Sequence, residues 1–185
     1  MKKISLLIAA ILFCGATFTS CQKENNGGSD SGTNPGKKLV EVKVDYSLNL
    51  NSNSVDALNR AYDVKVIYFD AQNQIATRDY SASNLEWSTS CTHTNFPCNA
   101  GFRFYVTRKA DLSGVSETEK FNIEGSFKFN IVAKYSDGST SNLKEAKNTI
   151  SYTGIKPSNG RDYSSIRFAY TVDENGKCQD IEIGE

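Results

Sequence analysis

The chain has 185 residues, 23% of them charged and 38% hydrophobic, and its 21 basic side chains balance 21 acidic ones. This composition suits one soluble domain with additions at its ends, and zero net charge without a Lys/Arg stripe argues against a nucleic-acid partner. Ten Phe and nine Tyr can fill a sizeable core and exclude disorder throughout, whereas one His and one Met leave little material for acid–base or soft-metal chemistry.

Residues 1–20 read as a secretory signal peptide. Lys2 and Lys3 give a positive start, residues 4–13 are apolar, and the run weakens through Gly15, Ala16 and Thr17. The apolar run is shorter than the roughly 20 residues a membrane-spanning helix needs, so none is expected after processing. Phe18, Thr19, Ser20 and Cys21 resemble the lipobox of bacterial lipoproteins, where small residues precede a Cys that is acylated on sulfur and becomes the new N-terminus. Cys14 fits less well, because bulky Phe13 precedes it and cleavage there would truncate the apolar core. The resemblance implies lipidation of Cys21, with palmitate-type chains contributing about 0.8 kcal/mol per buried methylene, enough to hold the protein on a membrane without a helix. Gln22, Lys23 and Glu24 are similar to the Lys-plus-acid signal that follows the lipidated Cys in surface-displayed lipoproteins of the Bacteroidetes. Gln22 is also not the Asp associated with inner-membrane retention in enterobacteria. The implied location is the outer membrane, facing the exterior.

Residues 21–38 form the lipidated end and a tether. Asn, Gly, Ser, Asp and Thr dominate it and no large apolar residue interrupts it, so it cannot bury a core, and its reach is about 20 Å. Losing Lys2 and Lys3 with the signal leaves two more acidic than basic side chains, a solvated surface with no further meaning.

Residues 39–185 have a dominant period of two. Val40, Val42, Val44, Tyr46, Leu48 and Leu50 alternate with polar residues, which predicts a strand with one buried face. Tyr62, Val64, Val66 and Tyr68 predict a second strand, and Ile67 and Phe69 on its other face mark it as covered on both sides. Further strands are expected at 85–89, 102–106, 149–153, 166–172 and 178–183. A long one runs from Phe121 to Tyr135, with Gly125 as an expected bulge or bend. Helical character is confined to two short patches, 54–60 and 143–147. Asp137-Gly138 and Asn175-Gly176 punctuate the strands as turns, the latter favouring type I′. About eight antiparallel strands without a long helix predict an all-β fold, an immunoglobulin-like or related β-sandwich, with a closed barrel as the alternative.

The remaining cysteines and the lone histidine carry the most specific chemistry. An exported chain can form disulfides, and Cys91 and Cys98 are natural partners if the strands around 85–90 and 102–106 are antiparallel neighbours joined by the loop between them. Such a bridge would contribute about 2.5 kcal/mol in the chain-entropy account. Cys178 is then the odd thiol, either buried and free or replacing one partner of the pair. His93, between the two cysteines, raises structural zinc, but the spacing is not a common finger pattern and a fourth ligand is lacking, so no metal or other cofactor is expected.

No enzyme is expected either. A Ser/His/Asp triad would have to use His93, no Gly-x-Ser-x-Gly elbow frames a nucleophile, and Glu86, Glu117, Glu119 and Glu124 cannot be told from solvated charges. Two non-catalytic readings follow. One is a binding module for a glycan or protein ligand, with Phe69 and Tyr105, which parity can place outward, together with Trp87 as rings on which a sugar could stack, against the alternative that these rings pack between sheets or under loops. The other is a structural or adhesive surface protein. The stretch Val64-Lys-Val-Ile-Tyr-Phe-Asp70 followed by Ala-Gln-Asn-Gln-Ile75 resembles the strand, polar turn and strand near the start of fimbrillin-type proteins and their anchors in the Bacteroidetes.

Overall fold

The computed structural model describes residues 37–160 and 162–184. The signal peptide, Cys21 and all but the last two residues of the tether lie outside the described residues. Among the described residues nine strands form two separate antiparallel sheets: β1 (Leu39–Leu50), β4 (Glu86–His93), β6 (Phe121–Tyr135) and β7 (Thr140–Ile155) in the order β4-β1-β6-β7, and β2 (Tyr62–Phe69), β3 (Ile75–Asp79), β5 (Cys98–Arg108), β8 (Arg167–Val172) and β9 (Cys178–Asp180) in the order β3-β2-β5-β8-β9. Their apolar faces meet in one core, which makes the domain a β-sandwich and not a closed barrel.

Alternation explains most of β1, β4 and β6. β1 buries Val42, Val44, Tyr46, Leu48 and Leu50. At its start the phase differs from the expected one: Val40 is 37% exposed and Leu39 is buried. The pairing with β6 slips by a residue between Leu39 and Glu41, and a slip of one turns each side chain to the other face. Gly125 is not the expected bulge. The alternation of β6 passes through it, with Leu50 and Ile150 as its neighbours, and a Cβ there would run into the Asn49 carbonyl oxygen. Close approach of β1 is what requires glycine.

The patch at 54–60 is helical, a 3-10 turn at Ser52–Ser54 leading into α1 (Val55–Arg60). Buried Ser54 fixes it to β6: its Oγ donates to the Glu124 carbonyl (3.0 Å) and accepts the Glu124 N–H (2.9 Å). The patch at 143–147 is not helical. It lies within β7, where Lys144, Glu145, Ala146 and Lys147 pair with Ile131, Asn130, Phe129 and Lys128. So short a segment cannot sustain a helix by itself, and a long neighbouring strand offers its backbone better partners.

Three hairpins turn in the same way. In each, the fourth residue donates its N–H to the first residue's carbonyl and is left-handed: Asn73 (φ 62°) before β3, Gly138 (φ 81°) before β7 and Gly176 (φ 79°) before β9. This is a type I turn closed by a left-handed residue. It replaces the type I′ turn expected at Asn175-Gly176, which would need positive φ at Asn175 as well; among the described non-glycine residues only Asn73 has one. Aspartate supplies the preference, since Asp70 Oδ1 accepts the Gln72 and Gln74 amides and Asp173 Oδ1 those of Asn175 and Lys177.

The two sheets are tied across the core by a phenol. Tyr46 of β1 is 2% exposed, donates its hydroxyl to the Phe69 carbonyl of β2 (3.1 Å) and accepts the Gly101 N–H of β5 (3.1 Å). Gly101 (φ 154°) is required at that point, because a Cβ would collide with the Phe168 carbonyl of β8. Tyr80 makes a second tie, from the crossing after β3 to the Leu48 carbonyl of β1 (2.8 Å). Burial pushes both phenols far above their ordinary ionisation range.

Tyr46→Phe leaves a buried N–H and a buried carbonyl without their partner, so we expect a loss of about 1–3 kcal/mol in urea denaturation. Tyr152→Phe, whose exposed hydroxyl contacts Ser165, should cost less than about 1 kcal/mol. Equal losses for the two would remove the proposed weight of the Tyr46 tie.

Candidate functional site

The expected disulfide does not form. β4 belongs to the four-stranded sheet and β5 to the other, so the loop between Cys91 and Cys98 crosses the sandwich and is not a hairpin connection. Cys91 lies opposite Val44 and Cys98 opposite Val172, and Cys91, Cys98 and Cys178 are all free thiols. Cys178 lies opposite Val172 on the far side of β8, so it does not substitute for either partner. Cys91 Sγ contacts the Phe69 carbonyl at 3.7 Å. Burial raises the pKa of all three thiols, that of Cys98 to about 11, which keeps them protonated and unreactive.

His93 follows the same logic. It is 5% exposed, its Nε2 has no hydrogen-bond partner, and burial holds its pKa below the usual value although nearby Asp70 opposes this. The imidazole is neutral in the fold. Among the described residues no three His, Cys, Asp or Glu side chains are gathered as a metal ion would need. Of the candidate carboxylates, Glu119 is clamped by both terminal nitrogens of Arg60 (2.6 and 2.9 Å) and Glu124 holds the Asn53 amide (3.0 Å).

Trp87 and Tyr105 are not brought together. Trp87 lies opposite Leu48 at the edge of the core, with its ring 4.9 Å from that of Tyr68 and 6.0 Å from that of Tyr46. It packs against the core. Tyr105 and Phe69 do face the outer side of the five-stranded sheet, but there they pack with Ile67, Ala169 and Ile183 in a small apolar cluster. Tyr105 is only 8% exposed.

Beside that cluster lies a groove of about 550 Å³, lined by Lys65, Arg103, Tyr105, Thr107, Asp162 and Ser164. Period two places Arg103, Tyr105 and Thr107 on one face of β5, and cross-strand pairing sets Lys65 of β2 against Tyr105. Its other wall comes from residues 162–166, held against β5 by the reciprocal Val106–Tyr163 bonds (both 2.9 Å) and the Phe104 N–H to Ile166 carbonyl bond (3.0 Å). Both cations lie over the Tyr105 ring, Arg103 at 4.6 Å and Lys65 at 5.2 Å from its centre. Arg103 Nη2 donates to Ser164 Oγ (3.0 Å) and Nη1 to the Ile183 carbonyl (3.4 Å). Sequence reasoning found Tyr105 but not its neighbours. The signal for Arg103 and Thr107 is their parity with Tyr105, whereas Lys65, Asp162 and Ser164 arrive through pairings distant in the chain.

Among the described residues the groove offers two cations, one carboxylate and the hydroxyls of Tyr105, Thr107 and Ser164, groups suited to charge and hydrogen-bond contacts.

The buried histidine predicts a pH dependence. Its folded pKa is depressed, so the unfolded chain binds a proton first and the contribution of neutral His93 is complete above about pH 6.5 and is lost as pH falls through the folded value. Denaturation midpoints measured from pH 7.5 down to 5 should fall for the native protein and fall less for His93→Gln. Parallel curves would contradict a buried neutral imidazole.

Compared with known proteins, the chain matches no family model, no curated protein and no solved structure.

Proposed function

We propose that this chain is a lipid-anchored protein of the cell envelope, displayed on the outer membrane through acyl chains on Cys21, and that its sandwich is a non-catalytic binding module. The ligand site is the groove on the outer face of the five-stranded sheet. The observation that carries this reading is the groove's lining of mixed polar and charged side chains beside a sheet face otherwise sealed by Ile67, Phe69, Tyr105, Ala169 and Ile183. The protonated thiols and the neutral, buried imidazole support binding over catalysis, since none is poised to exchange a proton with a substrate. The lipobox and the signal that follows Cys21 support the location.

A second reading is a structural, adhesive or fimbria-associated role. The β2–β3 hairpin, a strand, a polar turn and a strand at the stretch that resembles fimbrillin-type proteins, supports it. Co-purification of a pilus subunit from native membranes would favour this reading over the first.

Two measurements test the first. Cells fed a clickable palmitate analogue should label the native chain and not Cys21→Ser, which should leave the membrane fraction; an unlabelled cytosolic protein would end the anchoring proposal. On a glycan array, Ser164→Trp should fill the groove and abolish retention, while Lys128→Trp on the exposed face of the four-stranded sheet should not. Retention unchanged by Ser164→Trp would move the site elsewhere.

A further inference from the structure

We infer that residues 181–184 are a strap whose Ile183 competes with the ligand for an apolar floor beside the groove. With the strap displaced, floor and groove form one amphipathic site for a flat, neutral sugar ring such as that of a β-1,4-glucan; the inference rests on the groove being the binding site. A pyranose with equatorial hydroxyls has polar edges and an apolar C–H face, and a site for it combines hydrogen-bonding groups with an apolar or aromatic seat. The groove supplies the first through Thr107, Asp162 and Ser164. It lacks the second, because Tyr105, the aromatic ring of its lining among the described residues, is buried with Arg103 and Lys65 over its ring.

The missing seat lies next to the groove. Ile67, Phe69 and Ala169 belong to the same outer cluster as Tyr105, and Ile183, 1% exposed, packs with them. Ile183 also reaches a groove residue through its carbonyl, which accepts from Arg103 Nη1 at 3.4 Å. The strap therefore sits where the apolar face of a sugar held by Thr107, Asp162 and Ser164 would lie.

The strap is held lightly. β9 ends at Asp180, and beyond it, among the described residues, one backbone bond joins the strap to the sheet, from the Ile181 N–H to the Ala169 carbonyl (3.0 Å). The bond from Arg103 is long, and the Glu182–Arg167 ion pair (3.0 Å) has both side chains more than half exposed, so neither contributes much. Between the strap and β8 lies a cavity of about 210 Å³, lined on the sheet side by Arg167, Phe168, Ala169 and Tyr170. Ile183 is thus the main anchor, and a segment with one apolar anchor opens far more readily than the domain unfolds. Because sugar and Ile183 compete for one floor, the apparent affinity is that of the open site reduced by the fraction of time the strap is open.

The test is titration of the full chain, held in lipid nanodiscs, with cellohexaose. Ile183→Ser should bind it at least about tenfold more tightly than the native protein, as a strap open about a tenth of the time or less requires. Adding Ser164→Trp should abolish binding by both. In the native protein the Ile183 methyl resonances should move to the positions of a solvent-exposed isoleucine as cellohexaose saturates the site, a readout independent of how any variant folds. Equal affinity of the native protein and Ile183→Ser, lost in Ser164→Trp, would overturn the strap and keep the groove. Ile183 methyls that stay in place while cellohexaose binds would overturn it as well. Tight binding to Ile183→Ser that ignores Ser164→Trp would separate floor from groove and so contradict the single site. Binding by neither protein would overturn the inference too, leaving the groove itself to the glycan array.

Discussion

The Tyr46 hydroxyl is the contact on which the arrangement of the two sheets depends. Burial of apolar faces draws the sheets together but does not say how they align, because the hydrophobic effect has no direction. A hydroxyl that donates to Phe69 on β2 and accepts from Gly101 on β5 does have direction, and in a core from which water is excluded a misaligned pair would leave polar groups unpaired. The tie also dictates sequence around it. Gly101 has to lack a Cβ so that β8 can lie close beside it, and the Tyr46 ring packs 5.6 Å from both Tyr68 and Phe129, centring the aromatic core on the same point.

With alignment fixed in this way, the interior keeps its reactive groups idle. Cys91, Cys98 and His93 lie in a region where burial favours the uncharged form of each, so the side chains that looked most chemical in the sequence are packing residues. The two outer faces differ. That of the four-stranded sheet is an open polar surface of residues such as Ser90, Lys43, Lys128 and Lys134. That of the five-stranded sheet is sealed in part by Ile183, which packs with Ile67, Phe69 and Tyr105, and the seal leaves a charged groove beside it. The floor of the groove is β5, and backbone hydrogen bonds from Val106 to Tyr163 and from Phe104 to Ile166 hold its wall against that strand.

Much of the fold was legible because a half-buried strand writes its two faces into alternate residues. β1 and β6 show this nearly along their whole length, and the double-sided burial of β2 follows from Ile67 and Phe69. What was not legible is non-local. The slip that turns Val40 outward depends on pairing with Tyr135 and Lys134, and the strand at 143–147 depends on β6 as its partner. The Asn-Gly pair marked a turn but not its type, which aspartate at the first position settled. Cys91 and Cys98 are close in the chain, yet nothing in the loop between them says that it crosses between sheets. Tyr105 was readable as outward and the groove around it was not, because Lys65 and residues 162–164 reach it only through the sheet order.

The alignment role of Tyr46 is tested most directly by hydrogen exchange at the Gly101 amide, whose proton is donated to that hydroxyl. The account predicts that this amide exchanges only when the whole domain unfolds, as slowly as the β6 amides around Phe129. Exchange at the rate of an exposed hairpin amide such as Asn175 would show that the sheets part locally at this point, and that something other than the phenol sets their alignment.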